Sequence, residues 1–260
     1  MINHRRPGPP RTSARRVGQD RDRSIRQAHD VLRASIRRGL VAPNDALVEF
    51  QLTRSLGVAR NALREALQAL ADEGLVVRRP AVGTLVARRM LQVSADEIIG
   101  FGNGFEDDLR PRVTSERLAA EPVELGADLR RTLGMAEDGT TQMIEIIVKV
   151  DDEPVCIVAT YLPGDVDPDR FNKEYEAPSV SFERLLGVPL ARTTTMVEAI
   201  NADPWTASML DVAPGAALVL REQLLTDASG TAAILNIARY RADRVAFIAS
   251  AVPAPAPEGQ

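Results

Sequence analysis

The chain has 260 residues, of which 45% are apolar and 26% charged, and its net charge is −4. This length is sufficient for two globular domains, each with a hydrophobic core. No apolar run approaches the roughly 20 residues that span a bilayer, and no apolar signal core lies at the N-terminus, so we expect a cytoplasmic protein with no membrane partner. A single Cys156 and two histidines exclude an internal disulfide and a His/Cys metal cluster, and we expect no cofactor.

The charge is divided unequally along the chain. Residues 1–90 contain 18 Arg, no Lys and 8 acidic residues, which is a net charge of +10. Residues 91–260 contain 14 basic and 28 acidic residues, which is −14. This pattern indicates that only the first part binds a polyanion, although a solvated basic tail would also explain the seven Arg among the first 23 residues.

Composition and periodicity divide the chain into five segments. Residues 1–23 are rich in Arg, Pro and Gly and predict a disordered arm. Residues 24–90 predict a DNA-binding domain of helices that closes with a hairpin, and the glycines of residues 91–106 predict a linker. Residues 107–250 predict strands alternating with short helices, and the Ala-Pro alternation of residues 251–260 predicts a disordered tail.

Three helices are predicted in the first domain. The first begins near Ser24, the second covers about 48–56, and a tight turn at Gly57 leads to the third, which covers 60–72. The leucines of the third helix fall on one face. The opposite face carries the side chains that suit base edges in the major groove, and we expect these to bind DNA: Arg60, Asn61, Arg64 and Gln68.

A hairpin with its tip at residues 80–83 follows the third helix. Arg78 and Arg79 on its first strand are expected to contact backbone phosphates, which supplies affinity without base specificity. A helix, a turn, a polar-faced helix and a glycine-tipped hairpin in this order predict a winged helix-turn-helix.

The second domain contains an internal repeat. A helical segment leads into strands at 141–150 and 155–162, and about 76 residues later a helix at Pro204 leads into strands at 216–225 and 231–241. Two helix-hairpin units predict a mainly antiparallel sheet with helices, and the fold class of the whole chain is therefore α+β.

The first domain resembles the winged helix of the GntR family. The resemblance covers about residues 25–87 and is carried by Leu47-Val48-Glu49, Leu56-Gly57-Val58-Ala59-Arg60, Leu63-Arg64-Glu65-Ala66-Leu67, Glu73-Gly74-Leu75-Val76 and Gly83-Thr84. It implies that Arg60, Asn61 and Arg64 contact the operator and that Gly83 and Thr84 approach the minor groove. Ala59 and Ala62 replace the usual Ser or Thr, so hydroxyl contacts to DNA are lost there.

The second domain resembles the UTRA effector domain of the HutC subfamily, whose fold is like that of chorismate lyase. The matching segments are Asp151-Asp152-Glu153-Pro154-Val155, Tyr161-Leu162-Pro163 and Tyr240-Arg241-Ala242-Asp243-Arg244 with Phe247. The resemblance implies that the domain binds a small-molecule effector.

The departures from this subfamily concern the effector. Members that bind sugar phosphates carry Arg where Ile146 and Val148 stand, and Glu where Val158 and Ile234 stand. A phosphate needs forked donors or backbone amides, which aliphatic side chains do not offer. We therefore expect a largely apolar effector bound by these four residues, with Arg241 as its polar contact; the alternative is that the four are core residues.

Together these features predict a ligand-responsive repressor. Its partners would be a palindromic operator in double-stranded, nucleoid DNA and a second copy of the chain, since palindromic half-sites require a two-fold dimer. Two alternatives remain. The chain is a constitutive DNA-binding protein whose second domain only dimerises, or it is a lyase-like enzyme, for which the residues of a catalytic site are missing.

Overall fold

The computed structural model describes residues 12–87, 91–94, 112–132, 140–164, 166–167, 178–231 and 233–249. The chain divides into two compact units, Met1–Met90 and Leu91–Gln260. Among the described helices, none has the length and apolar character that crossing a membrane requires.

The first unit contains three helices and a hairpin. The elements are α1 (Thr12–Arg37), α2 (Glu49–Leu56), α3 (Arg60–Asp72), β1 (Val76–Arg79) and β2 (Gly83–Val86). Gly57 ends α2 with a φ of +65°, a left-handed conformation that favours glycine and redirects the chain into α3.

The core of the first unit lies between α1 and α3. Ala28, Leu32 and Ile36 follow one face of α1 and are at most 3% exposed. Leu63, Leu67 and Leu70 of α3 are fully buried, and burial of each such side chain contributes about 1.5–3 kcal/mol. These three leucines determine which face of α3 turns toward solvent.

A short segment before α2 hydrogen-bonds to the hairpin. Strands β1 and β2 pair antiparallel, from Val76 opposite Val86 to Arg79 opposite Gly83. The residues before α2 extend this pairing, because the Leu47 amide donates to the Thr84 carbonyl at 2.8 Å and the Asn44 amide to the Val86 carbonyl at 3.0 Å. The hairpin is thereby attached to the helical part of the unit.

Helix α1 begins earlier than the sequence predicts. Residues 12–23 are helical, so the prediction of a disordered arm over residues 1–23 is wrong for this part, and residues 1–11 lie outside the described residues. The prolines that suggested the arm all lie within residues 1–10, whereas residues 12–23 contain Ala, Arg and Gln, which have high helix propensity.

The second unit is built on a six-stranded antiparallel sheet. Its strands lie in the order β4-β5-β6-β9-β8-β7. The elements of the unit are β3 (Leu91–Ser94), β4 (Val113–Val123), α4 (Ala127–Thr132), β5 (Thr141–Val150), β6 (Glu153–Pro163), α5 (Pro178–Leu186), β7 (Arg192–Asn201), α6 (Pro204–Leu210), β8 (Ala217–Thr226), β9 (Ala233–Arg241) and β10 (Val245–Ile248).

The sheet is formed by two halves of the same plan. The first half is β4-α4-β5-β6 and the second is β7-α6-β8-β9, and the two halves meet where β6 pairs with β9. The predicted repeat of helix and hairpin is present in both halves, but each repeat also includes a preceding strand. These strands, β4 and β7, form the two edges of the sheet.

Different elements pack against the two faces of the sheet. On one face, Ile147, Ile157 and Leu218 pack against Ala207 and Leu210 of α6; we call this the α6 face. On the other, one cluster packs against β3 and β10, and a second packs against α5. We call this the ribbon face, because β3 and β10 form a two-stranded parallel ribbon.

The ribbon corrects the predicted linker. Leu91 and Val93 of β3 are buried, and Leu91 to Ser94 pair with Val245 to Ile248. Residues 91–94 therefore belong to the second unit and are not a linker. Residues 95–106 and the predicted tail at 251–260 lie outside the described residues.

A histidine-centred network joins α1 to the end of α3. Nε2 of His29 lies 2.5 Å from Oε1 of Glu73, and Nε of Arg33 donates to Oε2 of the same carboxylate at 2.9 Å. Burial lowers the pKa of His29, but its hydrogen bonds to Asp30 and Glu73 outweigh burial, so the pKa lies above its ordinary value of 6.5. Burial raises the pKa of Glu73, but the hydrogen bonds from Arg33 and His29 bring it below 4.5.

These shifts predict that the first unit loses stability as the pH rises above neutrality. Because the pKa of His29 is higher in the folded state, its contribution is complete below pH 6.5 and is lost as the pH rises through the folded value. Glu73 acts at the acid end, since its contribution is lost as the pH falls below 4.5. Thermal unfolding followed by helical circular dichroism should give a lower midpoint at about pH 8.5 than at about pH 6.

The matched control is His29→Gln, which keeps a hydrogen-bonding side chain without a titrating group near neutrality. Its unfolding midpoint should change less over the same pH interval than that of the parent. An equal change in both proteins would contradict the assignment to His29.

Candidate functional site

The exposed face of α3 carries the polar side chains that the sequence singled out. Arg60, Asn61, Arg64 and Gln68 are all exposed, while Ala62, Leu63, Ala66, Leu67 and Leu70 are buried. The side chains of Arg60 and Arg64 are 69% and 52% exposed. Two guanidinium groups and two amides therefore lie on one face of a helix whose other face is fixed in the core.

Glu49 in the first turn of α2 holds both arginines of this face. Its Oε2 accepts from Nε of Arg60 at 3.3 Å and from Nε of Arg64 at 3.1 Å. Burial acts to raise the pKa of Glu49, but hydrogen bonds from Arg64 and Arg60 lower it further, so the group is a carboxylate at neutral pH. Each guanidinium binds Glu49 through Nε, which leaves its terminal amino groups for another acceptor.

The predicted DNA-binding residues at the end of α3 and on β1 are also exposed. Gln68 is exposed and donates to Oδ1 of Asp72 at 2.9 Å. Arg78 and Arg79 lie on the exposed part of β1, and Nη2 of Arg78 donates to the Arg64 carbonyl at 3.3 Å. This contact brings the hairpin of β1 and β2, which we call the wing, next to the exposed polar face of α3.

The tip of the wing corrects one predicted contact. Gly83 is exposed, with a φ of +106°, but Thr84 is only 8% exposed. Thr84, like Leu85 and Val86 after it in β2, is buried. The Thr84 side chain is therefore not available as a surface contact.

The four aliphatic residues predicted to bind effector lie together on the ribbon face. Val148 and Val158 belong to the cluster under the ribbon, and Ile234 belongs to the cluster under α5. Ile146 packs against both clusters. The structure thus brings these residues together, within the core of the second unit.

Arg241 lies on the opposite face. Its Nη1 donates to the Leu210 carbonyl at the end of α6 at 3.3 Å, and its Nη2 pairs with Asp243 at 2.8 Å. Arg241 is therefore an α6-face residue and does not share a site with the four aliphatics. The expected polar contact to the effector is wrong in this respect, because Ile234 and Arg241 are seven residues apart on one strand and must point to opposite faces.

A row of polar side chains crosses the ribbon face instead. Thr160, Asn236, Gln223 and Thr195 face one another across the four strands β6, β9, β8 and β7, and we call them the polar row. Oγ1 of Thr160 donates to Oδ1 of Asn236 at 2.8 Å, and Nε2 of Gln223 donates to Oγ1 of Thr195 at 3.1 Å. The row separates the cluster under α5 from the cluster under the ribbon.

Gln223 is the least satisfied member of the polar row. It is 1% exposed, and among the described residues no donor lies within hydrogen-bonding distance of its Oε1. A buried acceptor without a partner costs about 1–3 kcal/mol. Such a group calls for a donor, and a bound molecule with an N–H or O–H would supply one.

A buried arginine lies two residues before Gln223 on β8, and so on the same face of the sheet as the polar row. Arg221 is 1% exposed, and its Nη2 donates to the Tyr240 hydroxyl at 2.6 Å. Its guanidinium carbon lies 5.2 Å from the Tyr240 ring centroid and 5.3 Å from that of Phe247. The two aromatic rings stabilise the buried charge of Arg221. This charge lies beside the polar row, on the same face of the sheet as the aliphatic residues.

Sequence reasoning missed Glu49, Arg221 and the polar row. For the row a signal was present, since Asn236 interrupts the inward positions of β9, which are otherwise apolar at Ile234, Ala238 and Tyr240. No comparable signal exists for Glu49, whose role depends on how α2 and α3 are packed.

Comparison with known families identifies the two units. Residues 24–86 match the model described as bacterial regulatory proteins, gntR family, and residues 109–246, more than half of the chain, match the UTRA domain. The chain belongs to the GntR family and carries a UTRA domain. The resemblance of the sequence to this family and the α+β fold class are both confirmed.

Several transcriptional repressors are similar to the chain over most of their length. It is 22% identical to the HTH-type transcriptional repressor NagR of Bacillus subtilis, with 85% of this chain and 92% of NagR covered. It is 26% identical to the repressor PhnF of Mycolicibacterium smegmatis, with 85% and 91% covered. A histidine utilization repressor of Pseudomonas aeruginosa is 27% identical, with 64% and 66% covered.

A solved structure supports the fold. The crystal structure of PhnF from Mycobacterium smegmatis aligns with a TM-score of 0.56 at 21% identity, covering 84% of this chain and 99% of that one. The chain is therefore a DNA-binding transcriptional regulator with an effector domain, built on the fold of this family.

The contacts of Glu49 predict that Glu49→Gln binds DNA less selectively. Loss of the carboxylate releases Arg60 and Arg64 and removes a negative charge beside the basic face, so affinity for random-sequence duplex should rise. The ratio of specific to non-specific affinity should fall by roughly tenfold, since about 1.4 kcal/mol corresponds to that factor. Fluorescence anisotropy with labelled duplexes measures both affinities.

The control is Glu183→Gln, which removes the same charge from an exposed position of the second unit. It should leave both affinities unchanged. If Glu49→Gln behaved like this control, the carboxylate would have no role in arranging the two arginines.

Proposed function

We propose that the chain is a repressor that binds an operator through its first unit and is released from it by a small molecule bound to its second unit. The observation that carries this proposal is the exposed face of α3, on which Arg60, Asn61 and Arg64 are presented by a helix anchored in the core. The names of NagR, PhnF and the histidine utilization repressors support repression as the mode of regulation. We infer that the protein acts in the cytoplasm, on the DNA of the nucleoid.

The chemistry of the exposed groups suggests a role for each in DNA binding. Arg60 and Arg64 suit bidentate contacts to guanine O6 and N7, while Asn61 and Gln68 suit adenine N6 and N7. Arg78 and Arg79 on the wing suit phosphates, and the tip at Gly83 suits the minor groove. The phosphate contacts supply affinity, and the base contacts in the major groove supply sequence preference.

A second copy of the chain completes the operator-binding form. One winged helix reads few base pairs, so we infer a homodimer that binds a palindromic operator with one half-site for each copy. The same symmetry lets an effector act, since a change in the arrangement of two copies alters the half-site spacing that they fit.

The ribbon face is the proposed effector site. Its aliphatic residues Ile146, Val148, Val158 and Ile234 favour a largely apolar ligand, as the sequence predicts. We propose Gln223 in place of Arg241 as the polar contact, because no donor to its buried Oε1 lies among the described residues. We therefore propose a small effector with an apolar body and one N–H or O–H group.

A domain that only dimerises is the second candidate function. A buried acceptor that lacks a donor destabilises the domain and has no purpose in dimerisation, so Gln223 favours the sensor. The relatives named above are regulators, and none of their names describes an enzyme.

Two arginine variants separate base reading from phosphate binding. Arg64→Ala should cost about 1–3 kcal/mol on a duplex selected by this protein from a randomised pool, and it should relax base preference at one position of each half-site. Arg78→Ala should weaken all duplexes about equally and reduce the slope of log K against log salt by about one. Anisotropy titrations at several salt concentrations measure both effects.

Arg112→Ala, which removes an exposed arginine from the second unit, serves as the control and should bind like the parent. If Arg64→Ala bound the selected duplex as tightly as the parent at moderate salt, α3 would not be the reading helix.

Gln223→Leu tests the effector site. A panel of apolar alcohols, amides and lactones is compared with hexose phosphates by thermal shift of the full chain. A stabilising apolar compound should bind Gln223→Leu about 10–100-fold more weakly than the parent, which is the loss expected for one buried hydrogen bond. Glu222→Gln, on the same strand but the other face, should bind it normally.

Stabilisation of the parent by a hexose phosphate, with none from the apolar compounds, would end the proposal of an apolar effector. A stabilising compound that dissociates the operator complex supports the sensor over the domain that only dimerises.

A further inference from the structure

The two edges of the six-stranded sheet differ in how they are protected. A sheet edge presents unpaired N–H and C=O groups, and proteins usually block it with bulges, prolines or charges. Strand β4 has all three: its register shifts between Arg117 and Ala119, it contains Pro122, and it carries exposed charges such as Glu116 and Glu121. This edge is closed to a further strand.

The other edge, β7, is less protected, because the charged residues within it are one of each sign, Arg192 and Glu198. It pairs with β8 over ten residues, from Arg192 to Asn201, without a register shift, and it contains no proline and no lysine. Met196 and Val197 at its middle are 49% and 46% exposed. A long, regular edge with apolar side chains is a template for another strand.

We propose that β7 pairs with β7 of a second copy of this chain, antiparallel, about a two-fold axis at Thr195. This inference rests on the homodimer of the proposed function and assigns its interface. The two sheets then join into one continuous sheet of twelve strands, and neither β7 remains an edge. A two-fold axis makes the contact closed, so the assembly stops at two copies.

Backbone geometry limits the possible registers of such a pair. Facing residues of an antiparallel pair must present their N–H and C=O groups to each other alike, and successive residues of a strand present them to opposite sides. A two-fold axis between identical strands therefore passes through a residue and not between two residues. The candidate axes on β7 are then its individual residues.

Charge selects one of these axes. With the axis at Thr195, Arg192 of each copy lies opposite Glu198 of the other, so two ion pairs form on one face of the joined sheet. Moving the axis to Thr194 or Met196 places Arg192 opposite Met196 or Ile200, and Glu198 no longer has a cationic partner. Opposite charges directly across a pair stabilise it, and like charges destabilise it.

The other facing residues at this register are also compatible with an axis at Thr195. Thr193 lies opposite Val197 on the ribbon face, and Thr194 lies opposite Met196 on the α6 face. Threonine beside a branched or flexible apolar side chain packs well on a pleated surface. The exposed Met196 and Val197 are thereby covered from both copies.

Charge reversal tests the register on the full chain. Sedimentation velocity over a concentration series gives the dimer dissociation constant of the parent. Arg192→Glu places two carboxylates opposite each other twice in every dimer, and Glu198→Arg does the same with guanidinium groups, so each should raise that constant about tenfold or more. The double variant exchanges the partners and should restore dimerisation. Glu121→Arg on the protected edge is the control and should have no effect.

Disulfide trapping tests the axis independently of charge. Thr195→Cys places one thiol from each copy at the axis, where Cα atoms about 4.5–5.5 Å apart permit a disulfide, so mild oxidation should give covalent dimers. Thr193→Cys is the matched control, since its two thiols lie about 13 Å apart along the strands and should not link. The native Cys156 does not interfere, because it is fully buried and burial raises its pKa to about 12.

The outcomes separate this inference from the proposed function. A dimer that resists both charge reversals and does not trap through Thr195→Cys overturns the β7 interface and leaves the homodimer intact. Trapping through Thr193→Cys in place of Thr195→Cys overturns the register. A parent that is a monomer at concentrations where it binds its selected duplex overturns both the interface and the homodimer. Circular dichroism shows whether each variant is folded.

Discussion

The complete burial of three leucines on one side of α3 is the constraint on which DNA binding depends. Leu63, Leu67 and Leu70 together contribute several kcal/mol, whereas the exposed contacts of the arginines contribute far less. The core therefore sets the rotation of the helix, and the polar face follows from it. Glu49 then acts on a smaller scale, since its carboxylate arranges two guanidinium groups that the core has already turned outward.

In the second unit, too, apolar residues hold the elements together, but here the polar residues lie within the core. Two apolar clusters hold α5 and the ribbon to one face of the sheet, and the polar row lies between them. Hydrogen bonds within the row satisfy most of its groups, so the cost of burying it is concentrated at Gln223. A stability cost confined to one group is a feature that binding sites tolerate and that a packed core does not need.

Most elements of the fold could be predicted from the sequence, because local patterns specify them. The period of α3, the apolar pattern of each strand in the helix-hairpin units, and the glycine at the α2–α3 turn are all local signals. The ribbon could not be found this way, since β3 and β10 are about 150 residues apart and four-residue strands carry little pattern. The placement of Arg241 was wrong for a different reason. The alternation of side chains along β9 already put Arg241 and Ile234 on opposite faces, but the segment around Arg241 resembles the UTRA domain and so suggested a role in effector binding, whereas Arg241 donates to the Leu210 carbonyl of α6.

Thr195 connects the two proposals made for the second unit. It accepts a hydrogen bond from Gln223 at the end of the polar row, and it lies at the proposed two-fold axis on β7. An effector that binds the Gln223 side chain would act on a group bonded directly to the interface strand. Coupling of this kind is reciprocal, so an effector that weakens the β7 pair must itself bind the dimer more weakly than the monomer. If both proposals hold, this one hydrogen bond is the route by which the bound effector would act on the pairing of the two copies.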